Sequence, residues 1–314
     1  MSFFSRGARL PEDPLSRLKA AEELSAEERR DLVAALSDER PARRRAALDV
    51  LGHRGELRGE AAPAGVIERA VELARDPHPL VRAEACASLV LLRPEALASA
   101  ERRAALLGAT TDPSPLVRQE ACAALGDLGP EAGAEGRARL HARLGEDEEE
   151  GVRFEAALAL ARLGAPEARP VLERSLRDRR RRLDALQALG RLGDAAAVPA
   201  LRRVLAVPWV AWVDRLGALA ALARIGDPAA SGQLVERLSA RRFEERIHAV
   251  ALVAELGLSE ALPTLRALAR SRDAARAAAL DALAALGGRA ELEWLSGLED
   301  PEARAAAAAL RERL

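Results

Sequence analysis

The sequence predicts an all-α protein, a solenoid of about nine stacked helix-pair repeats, on three observations. One thirteen-residue phrase recurs along the chain. Hydrophobic residues make up 49% of the 314 positions but aromatics only 2%, so the core is built from Ala, Leu and Val, of which Ala and Leu favour helix. Seven copies of the phrase close on Gly, which tolerates the left-handed backbone at a helix C-terminus.

The phrase is clearest at Val81-Arg-Ala-Glu-Ala-Cys-Ala-Ser-Leu, Val117-Arg-Gln-Glu-Ala-Cys-Ala-Ala-Leu-Gly-Asp-Leu-Gly and Val152-Arg-Phe-Glu-Ala-Ala-Leu-Ala-Leu-Ala-Arg-Leu-Gly. Six weaker copies complete a series starting at 43, 81, 117, 152, 181, 214, 245, 275 and 303. The spacings are 38, 36, 35, 29, 33, 31, 30 and 28 residues, the range of two short helices per unit. Arg holds the second place in every copy and Ala the fifth.

The elements follow in order. Residues 1–13 match no copy of the phrase and read as a flexible arm with Phe3 and Phe4 exposed; residues 14–24 read as a capping helix. First helices precede each phrase, as where Ser25 and Glu28 make a capping box ahead of Leu32–Leu36, and at Val66–Leu73, Val198–Leu205 and Leu262–Leu268. Second helices are the phrases themselves, with places 1, 5, 8, 9 and 12 apolar along one stripe. One such pair cannot bury its apolar face alone, so neighbours stack, and the repeated Ala lets them approach closely. In the last copy Arg311 replaces the usual Leu, which suits a terminal cap. The solenoid is read as one domain over 14–314.

Asp76-Pro77 before Val81-Arg82, Asp112-Pro113 before Val117-Arg118, and Asp300-Pro301 before Ala303-Arg304 resemble HEAT repeats. The short period and the Val-Arg-x-Glu-Ala-x-x-Ala-Leu-Gly wording are closest to the shorter HEAT-like repeats of the phycobilin lyase type. The resemblance covers roughly residues 25–314 and implies a right-handed superhelix whose second helices line the concave face. It specifies a fold and not a function.

A residue demanded equally by every unit is demanded by the repeat, so the Arg at place two (Arg82, Arg118, Arg153) and the Asp ahead of the phrase (Asp76, Asp112) are read as a structural Asp/Arg ladder. Functional residues are sought where the pattern breaks. The turns of repeats four to seven depart most from Asp-Pro: Glu146–Glu150, Arg177–Arg182, Pro208–Asp214 and Arg241–Glu245. Of seven aromatic residues in the chain, Phe154, Trp209, Trp212 and Phe243 fall in or beside them. Trp and Arg anchor interfaces, so Arg179, Arg180, Trp209, Trp212, Arg241, Arg242 and Phe243 form the first partner-binding candidate. The second is the acidic series at place four, Glu84, Glu120, Glu155 and Asp184, which on the resemblance lies along the concave face, solvated or facing a basic partner.

Other classes fare worse. A formal charge of −1, a pI near 6.5 and a single Lys against 47 Arg give no field toward nucleic acid or an anionic membrane. No apolar run spans a bilayer and the N-terminus lacks a signal h-region, so a cytoplasmic protein is expected. His53, His78, His141 and His248 are scattered without metal spacing, which sets aside the HEAT-type metal hydroxylases. Cys86 and Cys122 share place six in consecutive copies and read as core. Trp209, Trp212 and Asp214 invite comparison with HEAT-like DNA glycosylases, against which the charge argues, and the absence of Tyr argues against stacking a tetrapyrrole. The expectation is therefore a non-catalytic scaffold or regulatory subunit, monomeric or weakly associating, without cofactor, binding another protein through its concave face and the edge of repeats 4–7. The alternatives are a ligand-binding or lyase-like chaperone and, behind it, a glycosylase.

Overall fold

The computed structural model describes residues 13–92, 99–271, 273–298 and 300–314. The arm expected at 1–13, with Phe3 and Phe4, lies outside the described residues apart from Asp13. The described chain is helical, without strands, and falls into two compact units, Met1–Leu172 and Glu173–Leu314.

In the first unit α1 (Ala26–Ala35) packs on α2 (Pro41–Arg58), α3 (Val66–Leu73) on α4 (Pro79–Leu91), α5 (Ser99–Ala109) on α6 (Pro115–Asp127) and α7 (Gly133–Glu146) on α8 (Glu150–Arg162). The second members stack in the order α2, α4, α6, α8. The short α9 (Arg169–Ser175) contains the boundary. The second unit opens with α10 (Arg182–Leu192) and continues with the pairs α11 (Val198–Leu205) and α12 (Trp212–Ile225), α13 (Pro228–Arg237) and α14 (Phe243–Glu255), α15 (Leu262–Arg270) and α16 (Arg276–Leu286), and α17 (Arg289–Ser296) and α18 (Pro301–Arg313). Its second members stack α10, α12, α14, α16, α18. Every second helix begins within two residues of the start of its phrase.

The repeated Ala explains the spacing of the layers. Ala47, Ala85, Ala121, Ala156, Ala185, Ala218, Ala249 and Ala279 have no exposed surface, and Ala307 in the last unit keeps 4%. Place ten goes further. A Cβ on Gly126 would stand 2.7 Å from Ala159 Cα of the next helix, and one on Gly190 would stand 2.9 Å from Ala221 Cα. Both lie inside van der Waals contact, so glycine there sets how closely α6 meets α8 and α10 meets α12.

One N-terminal element differs from expectation. Instead of a helix over 14–24, the chain makes a single 3-10 stretch, Pro14–Lys19, capped by Asp13, and then bends until the Ser25/Glu28 capping box starts α1. The reason is Arg54. This side chain is 2% exposed and donates to the carbonyls of Leu18 and Ala21 at 3.2 and 2.7 Å while pairing with Glu60. Carbonyls that a helix would have satisfied internally are satisfied by a guanidinium instead.

Candidate functional site

The ladder is the frame for the site. Arg44 Nε and Nη2 donate to the two carboxylate oxygens of Asp76 at 2.7 and 2.8 Å. Arg82 does the same to Asp112 at 2.7 and 2.8 Å, and Arg118 to Asp147 at 2.8 Å for both bonds. Each Asp also accepts the backbone N–H two residues on, from His78, Ser114 and Glu149. Each Arg turns its remaining nitrogen to carbonyls of its own turn, as Arg82 does to Asp76 and Pro77, and Arg153 to Asp147 and Glu148. One side chain thus ties two successive repeats through a planar fork. Burial pushes the Asp147 carboxyl up, but the Arg118 guanidinium and the Glu149 N–H outweigh it and hold the group below its ordinary range. In the first copy Asp38 has no preceding rung; Arg40 binds it through side chain and backbone N–H, which brings its pKa down to about 2.

In the second unit the ladder changes. Arg182 reaches Asp214 at 2.7 Å. That Asp does not sit in the turn but at place one of the phrase, where the clearest copies hold Val, and it is only 7% exposed. The turn between α11 and α12, Ala206–Ala211, has no acid to offer, so the helix supplies one from its first turn. Farther on, Arg246 pairs with Asp273 and Arg276 with Asp300. Between these stands Arg215, half-buried, whose side chain meets no hydrogen-bond or ion-pair partner among the described residues. The turn it should reach reads Ala240-Arg241-Arg242, with Ala240 where the closed rungs of the first unit have Asp.

The structure brings the first set of candidates to one edge of this unit. The turns that carry them immediately precede α10, α12 and α14, which are consecutive in the stack. Trp209 is 88% exposed, more than any other large hydrophobic side chain among the described residues. Phe243 is partly exposed, and Arg179, Arg180, Arg241 and Arg242 are exposed with side chains that make no bond or ion pair among the described residues. Trp212 stands apart: it is half-buried, with its ring edge-on to His248 at 5.2 Å between centroids, and so holds α12 against α14. Phe154, beside the turn of repeat four, is buried in the first unit. Glu244 and Glu245 follow the two arginines, but Glu245 is buried and drawn to Arg237 at 3.7 Å.

The acidic series is not a solvated stripe. Glu84 is nearly buried, its side chain 12% exposed and held by Arg45 at 3.1 Å. Burial raises its pKa to about 7, helped by Asp49 and Glu120, against the pull of Arg45. Glu120 and Glu155 are half-buried and already have partners, while Asp184 is an exposed residue of the other unit. Place four faces the neighbouring helix closely enough that a long acid there is packed, which the one-helix pattern did not reveal. Cys86 and Cys122 are fully buried and burial raises both thiols to about 12, so they are unreactive packing groups at neutral pH. His78 caps α4, accepting from the Leu80 N–H. Among the described residues no group of three or more His, Cys, Asp and Glu is placed to hold a metal ion, and no helix is long and apolar enough to cross a membrane.

Two family descriptions match within the chain: HEAT repeats over residues 103–184, and the PBS lyase HEAT-like repeat over 182–206. Together the two matches span residues 103–206. Among solved structures, the complex of CpcE and CpcF of phycocyanin lyase from Nostoc sp. PCC7120 is similar at 22% identity and a TM-score of 0.51, over 81% of this chain and 97% of that one. A model of the full-length AP-3 complex in an intermediate open conformation is similar at 14% identity and a TM-score of 0.51, over 90% of this chain and 55% of that one. At these identities the likeness speaks to the HEAT-repeat fold. No curated protein sequence matches the chain.

Sequence reasoning missed two residues here. Arg215 has the ladder's residue type and place and so reads as a rung. Its signal was in the following turn, where Ala240 stands five residues ahead of the phrase in place of Asp. Asp214 was read as a phrase residue, and its substitution for Val at an apolar place was the sign that it replaces the missing turn Asp.

Proposed function

We propose that the protein is a non-catalytic scaffold or regulatory subunit that binds another protein through the Arg/Trp edge of its second unit. The observation that carries this reading is Trp209, an indole left almost wholly in water on the edge that also carries four exposed arginines without carboxylate partners among the described residues. A large aromatic side chain gains most by leaving water, and an exposed Trp framed by guanidinium groups has the make-up of an interface anchor. Nothing in the packing of α12 requires Trp209, since Trp212 already fills the contact with α14. The similar phycocyanin lyase structure is a complex of two proteins, and the other similar structure is likewise of a complex, which agrees with a role exercised through protein contacts.

The test compares wild type with Trp209→Ala combined with Arg179→Ala and Arg180→Ala in affinity purification from the native organism. Binding is then reconstituted from purified components, and folding is followed by circular dichroism. The expected result is a partner that binds wild type directly and is lost from a variant of unchanged helicity. Equal binding by both would move the interface elsewhere. A coloured small molecule in the purified protein would favour the lyase-like chaperone.

A further inference from the structure

The open rung suggests what the partner brings. In every closed rung of the first unit the same acceptor is used: a carboxylate that takes the Arg fork on both oxygens and one backbone N–H of its own turn. Between α12 and α14 the donors remain while the acceptor is gone. Arg215 is half-buried and has no partner among the described residues, and Ala240 replaces the Asp. Trp212 against His248 holds the two helices in contact, although α12 and α14 meet more sparsely than the other consecutive second helices of the second unit. A guanidinium left without its ladder acceptor gains from a carboxylate arriving from outside.

We infer that the rung between α12 and α14 is completed by an Asp or Glu side chain of an acidic peptide segment on the bound partner, in the place that Asp76, Asp112 and Asp147 occupy in the closed rungs. The inference rests on the scaffold reading above and makes it specific. Arg241 and Arg242 flank the gap and guide the acidic segment, and Trp209 offers an apolar face on the same edge. Glu244 and Glu245 lie directly beyond the gap, and Asp178 is interleaved with the arginines ahead of α10. A continuous polyanion such as nucleic acid would meet these acids, whereas a peptide can place its charges singly.

The experiment uses the full chain and a fluorescein-labelled peptide rich in Asp, Glu and Leu, beside the same peptide with every acid changed to its amide, read by fluorescence anisotropy. Ala240→Asp is the deciding variant, because it supplies the missing acceptor from within. The expected result is that wild type binds the acidic peptide at least about tenfold more tightly than the amide peptide. Ala240→Asp should raise the melting temperature and weaken the acidic peptide by a similar factor, and Arg215→Gln should weaken it without lowering the melting temperature. Equal affinity for the two peptides would overturn the inference. So would a more stable Ala240→Asp protein that binds the acidic peptide as well as wild type, or an Ala240→Asp protein with an unchanged melting temperature. A single-stranded oligonucleotide that outcompetes the peptide would also sink it. Loss of peptide binding in Trp209→Ala together with full binding in Ala240→Asp would leave the edge as the interface and remove only the rung from it. Loss of the native partner's binding in neither Trp209→Ala nor the arginine variants would remove the edge itself.

Discussion

In the first unit three consecutive rungs close on an Arg fork and a turn Asp, Arg44 on Asp76, Arg82 on Asp112 and Arg118 on Asp147. In the second the series runs closed, open, closed, closed: Arg182 on Asp214, Arg215 alone, Arg246 on Asp273, Arg276 on Asp300. The arginines hold the same place in the phrase throughout. What separates a structural Arg from an available one is the turn of the following repeat, and in the second unit two successive turns, before α12 and before α14, have lost their Asp. The first loss is repaired by Asp214. The second is not.

The largest effect should come from opening a rung that is closed. Arg118→Ala leaves Asp147, whose side chain is 1% exposed, with only Arg143 at 3.3 Å and its turn N–H for company. Stranding one partner of a buried pair costs about 3–5 kcal/mol, and the thermal midpoint should fall by several degrees or more. Asp147→Ala should cost comparably, and its combination with Arg118→Ala should cost less than the sum. Additive losses would mean that the fork is not the unit of stability.

Next come the close contacts, where the two units should behave alike. Gly126→Ala and Gly190→Ala each drive a methyl group into the backbone of the next helix, and overpacking of this kind costs about 1–3 kcal/mol. Similar losses in chemical denaturation would show that the units share one packing rule and differ in their turns. A tolerant Gly190 would mean that the difference extends into the helices.

Much of this was legible in the sequence, because the repeat multiplies each signal. The phrase located every second helix to within two residues, and nine alanines at one place announced the close stacking. Legibility failed where a residue's role depends on a distant one. Arg54 occupies an unremarkable place on α2, and its reach to the carbonyls of Leu18 and Ala21 follows from no spacing rule. Glu84 reads as a surface acid on its own helix and is held by Arg45 of the preceding second helix. The edge candidates were visible as breaks in a pattern. That Trp209 lies in water while Trp212 is packed required the structure, since both occur in one turn of seven residues, Pro208–Asp214.

Glu84 gives the pH dependence of the first unit. Its folded pKa of about 7 stands above the ordinary 4.5, so between those values the folded chain keeps a proton that the unfolded chain has released. Stability therefore falls as pH rises through that window, by at most about 1.4 kcal/mol per pH unit for one group, and the loss persists above it. Glu84→Gln should raise the melting temperature at pH 8, and the gain should vanish below pH 4.5. A gain that is flat with pH would assign the effect to the packing of the amide rather than to the proton.

The smallest effect on stability is the one that sharpens the comparison most. Arg215→Ala removes the same residue type from the same place as Arg118→Ala, yet it strands no carboxylate and breaks no hydrogen bond among the described residues. Its cost should stay within about 0.5 kcal/mol, as for Trp209→Ala, whose ring lies almost entirely in water. Trp212→Ala is the internal control, because it removes the ring packed on His248 and should cost measurably more than Trp209→Ala. A chemical denaturation series on these three variants and Arg118→Ala would rank them. If Arg215→Ala proved as damaging as Arg118→Ala, Arg215 would be structural after all, and the gap at Ala240 would be closed by the protein itself. A near-neutral result leaves Arg215 as a cation kept by the repeat and unused by the fold, which is the condition for a partner to use it.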